Sequence, residues 1–504
     1  MPPDCSFTLT LLALSWGCNK CKSLWPSSQP CYNPAALKRS LDVLILFALV
    51  TARVQIDTLA DVAGVGEIRF GDVRQLVEGW WPAWSLDLLA GYNVDPVSLM
   101  LIVAAFGLLV LYLLVDFFSR PQQSHYLKLG LLYGLILLLI FGKTFLYIGL
   151  RQQRGPASYS HDGGTIQTEA AIDYFLRGLN PYVEDYVETP MAEWGFSEYR
   201  TALYHYPYLP WTFVFSAPFR LLSEAVLGWY DQRLVYLLLF AVTLLLVPAL
   251  VRRPTERLIA LAVIGLNPIA GTSVIFGEND PFVLAWIGLA LWLVKPGPDR
   301  ARVRAGRFGL GSVAVGLACA SKPTAWFLIP FWLLYLLGDS WGPRFIPPVA
   351  TWRRHLTTLV RRAWPLPVTA LLLIGPWFVW NPAAMYDDVW RWSSGQGETG
   401  YQIWGWGASN LVLAFGWVAD RFEYWPFVIP GAIVTFPLLL LLLWRQTQNN
   451  TLSTMLYAYV LLLLPFFYTS RFLQPNYLGY MLGFLALALT MDEAPPSEER
   501  EIGS

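Results

Sequence analysis

Residues 97–118 read VSLMLIVAAFGLLVLYLLVDFF, a run of 22 residues in which Asp116 is the single charged side chain. A helix needs about 20 consecutive apolar residues to cross the roughly 30 Å hydrocarbon core of a bilayer. This stretch decides the fold class, because an apolar run of such length is typical of a membrane-spanning helix and not of a soluble domain.

The composition of the whole chain agrees with a membrane protein. Its 504 residues are 55% hydrophobic and 14% charged, against roughly 25% charged residues in an ordinary soluble domain. Lysine plus arginine number 35, and so do aspartate plus glutamate. The apolar content excludes a disordered chain, and the zero net charge argues against a nucleic-acid-binding protein, which needs an excess of positive charge.

Apolar blocks recur along the chain, and their number predicts the architecture. We predict an all-α, polytopic integral membrane protein with about twelve transmembrane helices. The candidate blocks are residues 41–59, 97–118, 129–150, 234–251, 258–275, 281–294, 309–320, 324–337, 366–380, 427–444, 455–468 and 478–489. We expect residues 1–38 and 491–504 to form cytoplasmic tails on either side of a membrane domain at residues 39–490.

Basic residues in the short connections orient these blocks. Lysine and arginine cluster at residues 252–257, 295–307 and 344–362. These clusters are expected on the cytoplasmic side, because basic residues near the ends of spans are retained there. The opposite face then carries the long loops, which are residues 60–95, 151–230 and 381–426. A transporter usually places its polar groups at mid-membrane, whereas here they collect at one face, which predicts a site at the outer boundary of the membrane.

The outer loop 151–230 contains the candidate catalytic residue. It includes the stretch Ser160-His161-Asp162-Gly163-Gly164. Asp162 lies a short way beyond the membrane edge, where a carboxylate could accept a proton from a substrate hydroxyl. The two glycines after it permit a close approach of the backbone to a ligand. The alternative is a solvated acid without a catalytic role, since this loop holds many other acids.

A dense polar cluster, Gly277-Glu278-Asn279-Asp280, separates two apolar blocks. Such groups are costly near lipid unless they meet a partner or a cavity. The alternative is a helix-capping turn, in which Asp280 precedes Pro281 at a first helical position. Capping accounts for Asp280 but not for Glu278 and Asn279, which are therefore candidate substrate-binding residues.

Four further positions on the outer face are candidate substrate contacts. His205 is either a donor to a phosphate or an interfacial histidine bonded to backbone. Tyr206 offers a flat apolar ring to a sugar or is a membrane anchor. Lys322 and Arg471 stand at outer turns, where each is either a phosphate contact or a cation that reaches from the membrane toward water.

Taken in order, these motifs resemble the polytopic GT-C glycosyltransferases, and within them the bacterial glycosyltransferase 87 family of polyprenol-phosphate-mannose-dependent mannosyltransferases. The matching features are Asp162 ahead of residues 178–182 (GLNPY), Tyr206-Pro207, Gly277-Glu278-Asn279 and Lys322-Pro323. The resemblance implies a GT-C-like fold with long extracytoplasmic loops. It also implies a catalytic base in the first large outer loop, and Asp162 is the residue at the matching position.

The resemblance implies transfer of a sugar, mannose, from a polyprenyl-phosphate donor to an extracytoplasmic glycan, lipid or protein hydroxyl. A phosphate leaving group needs cations rather than a protonated acid, and the acceptor hydroxyl needs one base. We therefore expect an inverting hexosyltransferase of the cell membrane, with its active site outside, Asp162 as base and His161 among the substrate contacts. We assign no metal ligand, no cofactor and no nucleic-acid partner. No nucleotide-binding glycine motif is evident, which favours a lipid-linked donor.

Two other functions stay open on the sequence alone. A polytopic transporter or lipid flippase would show charges at mid-membrane and repeated halves. Arg53, Lys143 and Arg233 fall near or within apolar blocks, but the loops do not repeat. A non-catalytic membrane scaffold is the other possibility, and it would leave the outer polar turns without a purpose.

Overall fold

The computed structural model describes residues 41–60, 66–91, 95–119, 121–194, 200–295, 305–338, 349–397 and 399–491. Apart from Met491, the two predicted cytoplasmic tails lie outside the described residues. Their cellular side and their role stay predictions.

Helices make up most of the described chain. The first group is α1 (Leu41–Ala60), α2 (Gly66–Val77), α3 (Ala83–Ala90), α4 (Pro96–Phe118), α5 (Pro121–Ile136), α6 (Lys143–Arg154), α7 (Thr168–Leu176), α8 (Trp211–Leu227), α9 (Arg233–Leu250), α10 (Pro254–Leu266) and α11 (Pro268–Phe276). The second group is α12 (Asp280–Val294), α13 (Ala305–Cys319), α14 (Ile329–Leu337), α15 (Val349–Ala363), α16 (Pro365–Trp380), α17 (Pro382–Tyr386), α18 (Trp392–Ser394), α19 (Ser409–Ala414), α20 (Val428–Gln448), α21 (Leu452–Thr469) and α22 (Pro475–Thr490).

Shorter elements join these helices. The π-helical segments are Leu137–Gly142, Asp162–Gln167 and Asp387–Arg391, and the 3-10 segments are Pro190–Trp194, Arg200–Tyr204 and Pro323–Leu328. Two strands, β1 (Trp404–Gly405) and β2 (Phe472–Leu473), pair in parallel, with Trp404 opposite Phe472.

Five of the described helical stretches are long and apolar enough to cross a membrane. They are Pro96–Phe118, Ser124–Arg154, Arg233–Leu250, Val428–Gln448 and Leu452–Thr469. Two bent pairs, α10 with α11 and α15 with α16, raise the number to seven if each pair forms one span. The all-α fold with several apolar helices that suit membrane insertion is confirmed, whereas twelve spans and a GT-C-like arrangement stay predictions.

Charged side chains inside the helical bundle are paired with one another. Lys128 Nζ lies 2.8 Å from Asp42 Oδ2, and Arg53 Nη2 lies 3.1 Å from Asp57 Oδ1. Lys143 Nζ is 3.4 Å from the other Asp57 oxygen. A buried charge among apolar helices requires such a partner. Pairing therefore accounts for Arg53 and Lys143, two of the charges on which the transporter alternative rested.

Residues of the outer loop 151–230 form a buried hydrophobic cluster. Its buried aromatic rings include Tyr182, Tyr186, Tyr206 and Phe213, and Trp377 of α16 packs against them. Tyr206 is fully buried among these rings. The structure therefore places the ring of Tyr206 inside a protein core, with no exposed face on which a sugar could stack.

Candidate active site

Segments that are distant in sequence converge at one end of the bundle. The His161 N–H donates to the Phe276 carbonyl oxygen at 2.7 Å, which joins the start of the predicted catalytic loop to the end of α11. The Leu209 N–H donates to the Ser321 carbonyl oxygen at 3.1 Å, which joins the same long loop to the turn after α13. The predicted loop therefore contacts both predicted polar turns.

The second glycine after Asp162, Gly164, is required by a close contact with protein backbone. A Cβ atom on Gly164 would lie 2.2 Å from the Gly277 carbonyl oxygen. Gly277 has a φ of +86°, which favours glycine, and a Cβ there would lie 2.1 Å from Thr165 Oγ1. The sequence predicted that the glycines approach a ligand, but in the structure Gly164 instead packs against the turn at Gly277.

We expect Gly164→Ala to destabilise the protein and to lower its activity, because the added methyl group meets backbone atoms that have little room to move. Overpacking of this kind costs about 1–3 kcal/mol. The matched control is Gly288→Ala in α12, where a Cβ meets nothing within 4 Å. Thermal melting of both variants in detergent checks this, and equal melting temperatures would contradict the close contact.

Asp162 begins the π-helical segment, and its side chain lies outside the described residues. Its neighbour His161 accepts a hydrogen bond from the Gly164 N–H through Nδ1, at 3.3 Å. His161 Nε2 lies 3.7 Å from Glu278 Oε1, and Glu278 Oε2 accepts a hydrogen bond from Ser273 Oγ at 2.6 Å. Burial raises the pKa of Glu278 above its ordinary value, against the opposing charge of His161. Two of the predicted contacts, His161 and Glu278, therefore lie next to each other.

Lys322 is the centre of a buried polar cluster. Its Nζ lies 2.6 Å from Asp280 Oδ1 and 3.0 Å from Asn279 Oδ1. It also lies over the Tyr477 ring, 5.1 Å from the centroid. The other Asp280 oxygen accepts a hydrogen bond from Asn476 Nδ2 at 2.6 Å. The cluster joins the starts of α12 and α22 to the turn after α13.

The helix-capping interpretation of Asp280 is wrong. Its carboxylate binds Lys322 and Asn476, and Asn279, the residue before α12, makes no side-chain capping bond. Asn476 was not predicted as a site residue, although it lies in a polar turn that the sequence shows. Within the described part of the chain, Asn279 Nδ2 is buried and has no hydrogen-bond partner. A buried donor in that state is expected to find an acceptor in a ligand or in water.

His205 connects two of the three long outer loops, 151–230 and 381–426. Its Nδ1 lies 2.8 Å from Asp388 Oδ1, and its Nε2 lies 2.7 Å from Thr399 Oγ1. The Tyr206 N–H donates to Asp388 Oδ2 at 2.9 Å. Asp388 was missed by the sequence analysis because it belongs to the loop 381–426, far along the chain from His205. Both ring nitrogens of His205 are bonded within the protein, which favours a structural role over a phosphate contact.

Asp387 extends this pair into a trio of potential metal ligands. One of its oxygens lies 3.8 Å from His205 Nδ1, and the other lies 2.9 Å from Arg391 Nη1. Ligand atoms of His205, Asp387 and Asp388 all lie within 4.8 Å of one another. Among the described residues this trio could hold a metal ion, and imidazole and carboxylate donors suit a first-row divalent metal.

We expect the stability of the wild-type protein to depend on pH through Asp388. Burial raises the pKa of its carboxyl from the ordinary value of 3.8 to about 6, against the opposing hydrogen bond with His205. The folded state therefore holds the proton more tightly than the unfolded chain, and the contribution to the free energy of unfolding falls as pH rises from about 4 to about 6. The variant Asp388→Asn lacks this titration. Its melting temperature should therefore rise relative to that of the wild type as pH increases from about 4 to about 6. A difference that stays constant from pH 4 to pH 8 would contradict the raised pKa.

Arg471 is held by backbone carbonyl groups. Its guanidinium donates to the carbonyl oxygens of Glu423 and Arg421, each at 3.0 Å, and to that of Tyr401. Burial lowers the pKa of Arg471 to about 10. A Cβ on Gly395 would lie 2.3 Å from this guanidinium. The described contacts of Arg471 thus fix the loop 381–426 and do not include the Lys322 cluster.

A buried network of four charges supports the loop around Asp162. Arg151 lies 2.6 Å from Glu169 and 2.8 Å from Asp231, and Arg233 lies 2.7 Å from Asp231. Although burial opposes it, Arg233 and Arg151 lower the pKa of Asp231 to about 2. Arg233 also donates to the Tyr159 carbonyl oxygen at 2.6 Å. In the transporter alternative Arg233 was a charge near or within an apolar block. In the structure it instead fixes the backbone of Tyr159, three residues before Asp162.

One comparison with known proteins gave a match. Residues 173–338 match the family model described as MptA_B family, alpha-(1->6)-mannopyranosyltransferase, N-terminal domain. No curated protein and no solved structure matched. The matched third of the chain includes His205, Glu278 and Lys322 and leaves out Asp162 and Arg471. The resemblance to mannosyltransferases is confirmed over this range, and the match supports a membrane mannosyltransferase.

Proposed function

We propose that this chain transfers mannose from a polyprenyl-phosphate donor to a hydroxyl group on a glycan, lipid or protein outside the cell membrane. The site is the end of the bundle where the loop around Asp162 contacts the turns at Glu278 and Lys322. The proposal rests on the mannosyltransferase match and on the donor groups in the Lys322 cluster.

The observation that carries the proposal is a pair of donors beside each other. An ammonium group has three N–H donors, and the bonds of Lys322 to Asn279 and Asp280 use two of them. Asn279 Nδ2 adds a buried donor that no described residue satisfies. Donors aimed at a departing phosphate stabilise the negative charge that grows on it in the transition state.

The charge of the neighbouring acids is compatible with an anion. Asp280 pairs directly with Lys322, so it orients the ammonium group and does not face the site as an unpaired negative charge. Glu278 lies beside His161, and its carboxylate accepts a hydrogen bond from Ser273, so this acid also has partners within the protein. A phosphate entering near Lys322 therefore meets less repulsion than the number of acids in the turn indicates.

Asp162 is the proposed general base. The hydrogen bond from the His161 N–H to Phe276 brings the backbone next to Asp162 close to the Glu278 turn. A single carboxylate is sufficient, because the phosphate leaves without protonation and the acceptor hydroxyl gives up one proton. Direct attack of the activated hydroxyl on the anomeric carbon displaces the phosphate and inverts the configuration there.

The test is transfer by the purified full chain in mixed micelles with a membrane glycolipid acceptor. One arm supplies labelled mannosyl polyprenyl phosphate, and the other supplies labelled GDP-mannose. We expect label in the glycolipid from the lipid-linked donor alone. Transfer from GDP-mannose alone would overturn the donor assignment, and failure of folded protein to transfer from either donor would overturn the mannosyltransferase.

A further inference from the structure

Helix α15 has three different faces, of which one packs on the protein. His355 and Ala363 are buried on that face. The Arg362 guanidinium on the same face donates to the Leu336 carbonyl oxygen at 2.5 Å, at the end of α14. This contact fixes the rotation of α15 and therefore determines which residues point away from the bundle.

The second face is apolar and exposed. Leu356, Val360 and Trp364 follow one another at intervals of four residues, with 63%, 57% and 55% of their surface exposed. Residues spaced by four lie along one side of a helix. An exposed apolar stripe of this kind is expected to contact lipid or another protein and not water.

The third face is basic. It carries Arg354 and Arg361, whereas Arg353 lies on the apolar stripe, seven residues before Val360; all three arginines are exposed. Residues 349–363 contain no acid, and among the described residues none of these three arginines has an ion-pair partner. Guanidinium groups bind phosphate oxygens through paired hydrogen bonds. The charge of this face is thus complementary to a phosphate surface.

The position of α15 is at the end of the bundle opposite Lys322. The chain runs from Lys322 through the segment Pro323–Leu328 and α14 to Leu337, close to the contact with Arg362. The helical rise per residue makes this path about 25 Å long. That length is close to the roughly 30 Å of the hydrocarbon core, so α15 lies at the level of the headgroups of the other leaflet.

The apolar face continues into a helix that itself faces outward. Helix α16 follows α15 after a bend of 49°, and its side chains Leu371, Leu372 and Val379 are 68%, 71% and 79% exposed. The exposed apolar surfaces of α15 and α16 are continuous, so the same environment is expected to contact both helices. Lipid would cover both helices, whereas an acidic protein partner would cover α15 alone.

We propose that α15 lies in the headgroup region of the leaflet opposite the candidate active site and binds acidic phospholipids through Arg353, Arg354 and Arg361. Leu356, Val360 and Trp364 enter the boundary of the acyl chains, which holds the arginines at the depth of the phosphates. This lipid site is separate from the proposed donor site, and its test does not depend on mannose transfer.

The test measures binding of phosphatidylglycerol to the purified full chain by native mass spectrometry, with phosphatidylcholine as the neutral lipid. We expect the wild type to prefer phosphatidylglycerol. The triple variant R353Q/R354Q/R361Q should lose that preference, with a fall in apparent affinity of about fivefold for each arginine removed. Inorganic phosphate at the same concentration should not compete, since it has no acyl chains to cover the apolar stripe.

The matched control is the double variant R252Q/R253Q, compared with R353Q/R354Q. Arg252 and Arg253 are exposed and follow α9 at the same end of the bundle. The control should bind phosphatidylglycerol as the wild type does. Equal affinities in the two double variants, or unchanged binding in the triple variant, would overturn the proposal. Gel filtration and thermal melting, which should be unchanged in all variants, separate loss of lipid binding from misfolding.

Discussion

Asp162→Asn is expected to lower mannose transfer by about two to four orders of magnitude, the usual contribution of a general base. The amide has nearly the shape of the carboxylate but cannot take the proton of the acceptor hydroxyl. Binding of the lipid-linked donor should be unchanged, because donor contacts are assigned to Lys322 and its neighbours. The measurement is the initial rate of transfer at saturating donor, with donor binding measured separately.

The matched control for this prediction is Asp185→Asn, in the same outer loop. Asp185 is exposed, and its carboxylate accepts a hydrogen bond from the Val187 N–H, which an asparagine oxygen also accepts. We expect this variant to keep the wild-type rate. If Asp162→Asn also kept that rate, the base would have to be another acid, and Glu278 would be the next candidate. A transporter that works through mid-membrane charges would tolerate both substitutions.

Lys322→Gln is expected to lower the transfer rate by about two to three orders of magnitude, the cost of removing a donor from a developing negative charge. The ammonium contributes more to the transition state than to the ground state, because the charge on the phosphate grows as the bond to the sugar breaks. We therefore expect the larger effect in kcat and the smaller one in KM. Steady-state kinetics with the lipid-linked donor measure this.

Loss of Lys322 also leaves Asp280 with one partner fewer, so a purely structural effect must be excluded. Lys143→Gln is the matched control, because Lys143 is also a buried lysine beside an aspartate, 3.4 Å from Asp57. Both variants should lose stability, since each removes one member of a buried pair. Only Lys322→Gln should lose transfer per molecule of folded protein. A similar loss of specific activity in both variants would refute the assignment of Lys322 to the phosphate.

The polar turns could be recognised from the sequence because charges between apolar blocks are conspicuous. Glu278, Asn279 and Lys322 were all identified in this way, and the structure brings them together with His161. Arg471 was identified by the same signal, yet it contacts backbone carbonyl groups elsewhere. Position at a turn indicates that a charge has a role but does not reveal its partner.

Partners that are far apart in the chain could not be predicted. Asn476 and Asp280 are separated by 196 positions, and His205 and Asp388 by 183. Local pattern carries no information on such pairs, because they depend on which helices pack side by side. Tyr206 shows the same limit, since an aromatic residue in an outer loop can face substrate or, as here, a buried cluster.

The sequence by itself determined that this is an α-helical protein with several apolar helices suited to a membrane, because the length of an apolar run is a local property that reports on hydrocarbon thickness. It also determined which residue types lie in the turns between the runs. Only the tertiary structure decided that Lys322 binds Asp280 and Asn279, that His205 binds Asp388, and that Gly164 packs on Gly277. These contacts arise when separate helices are brought together, and the free energy that selects one packing is a property of the whole bundle.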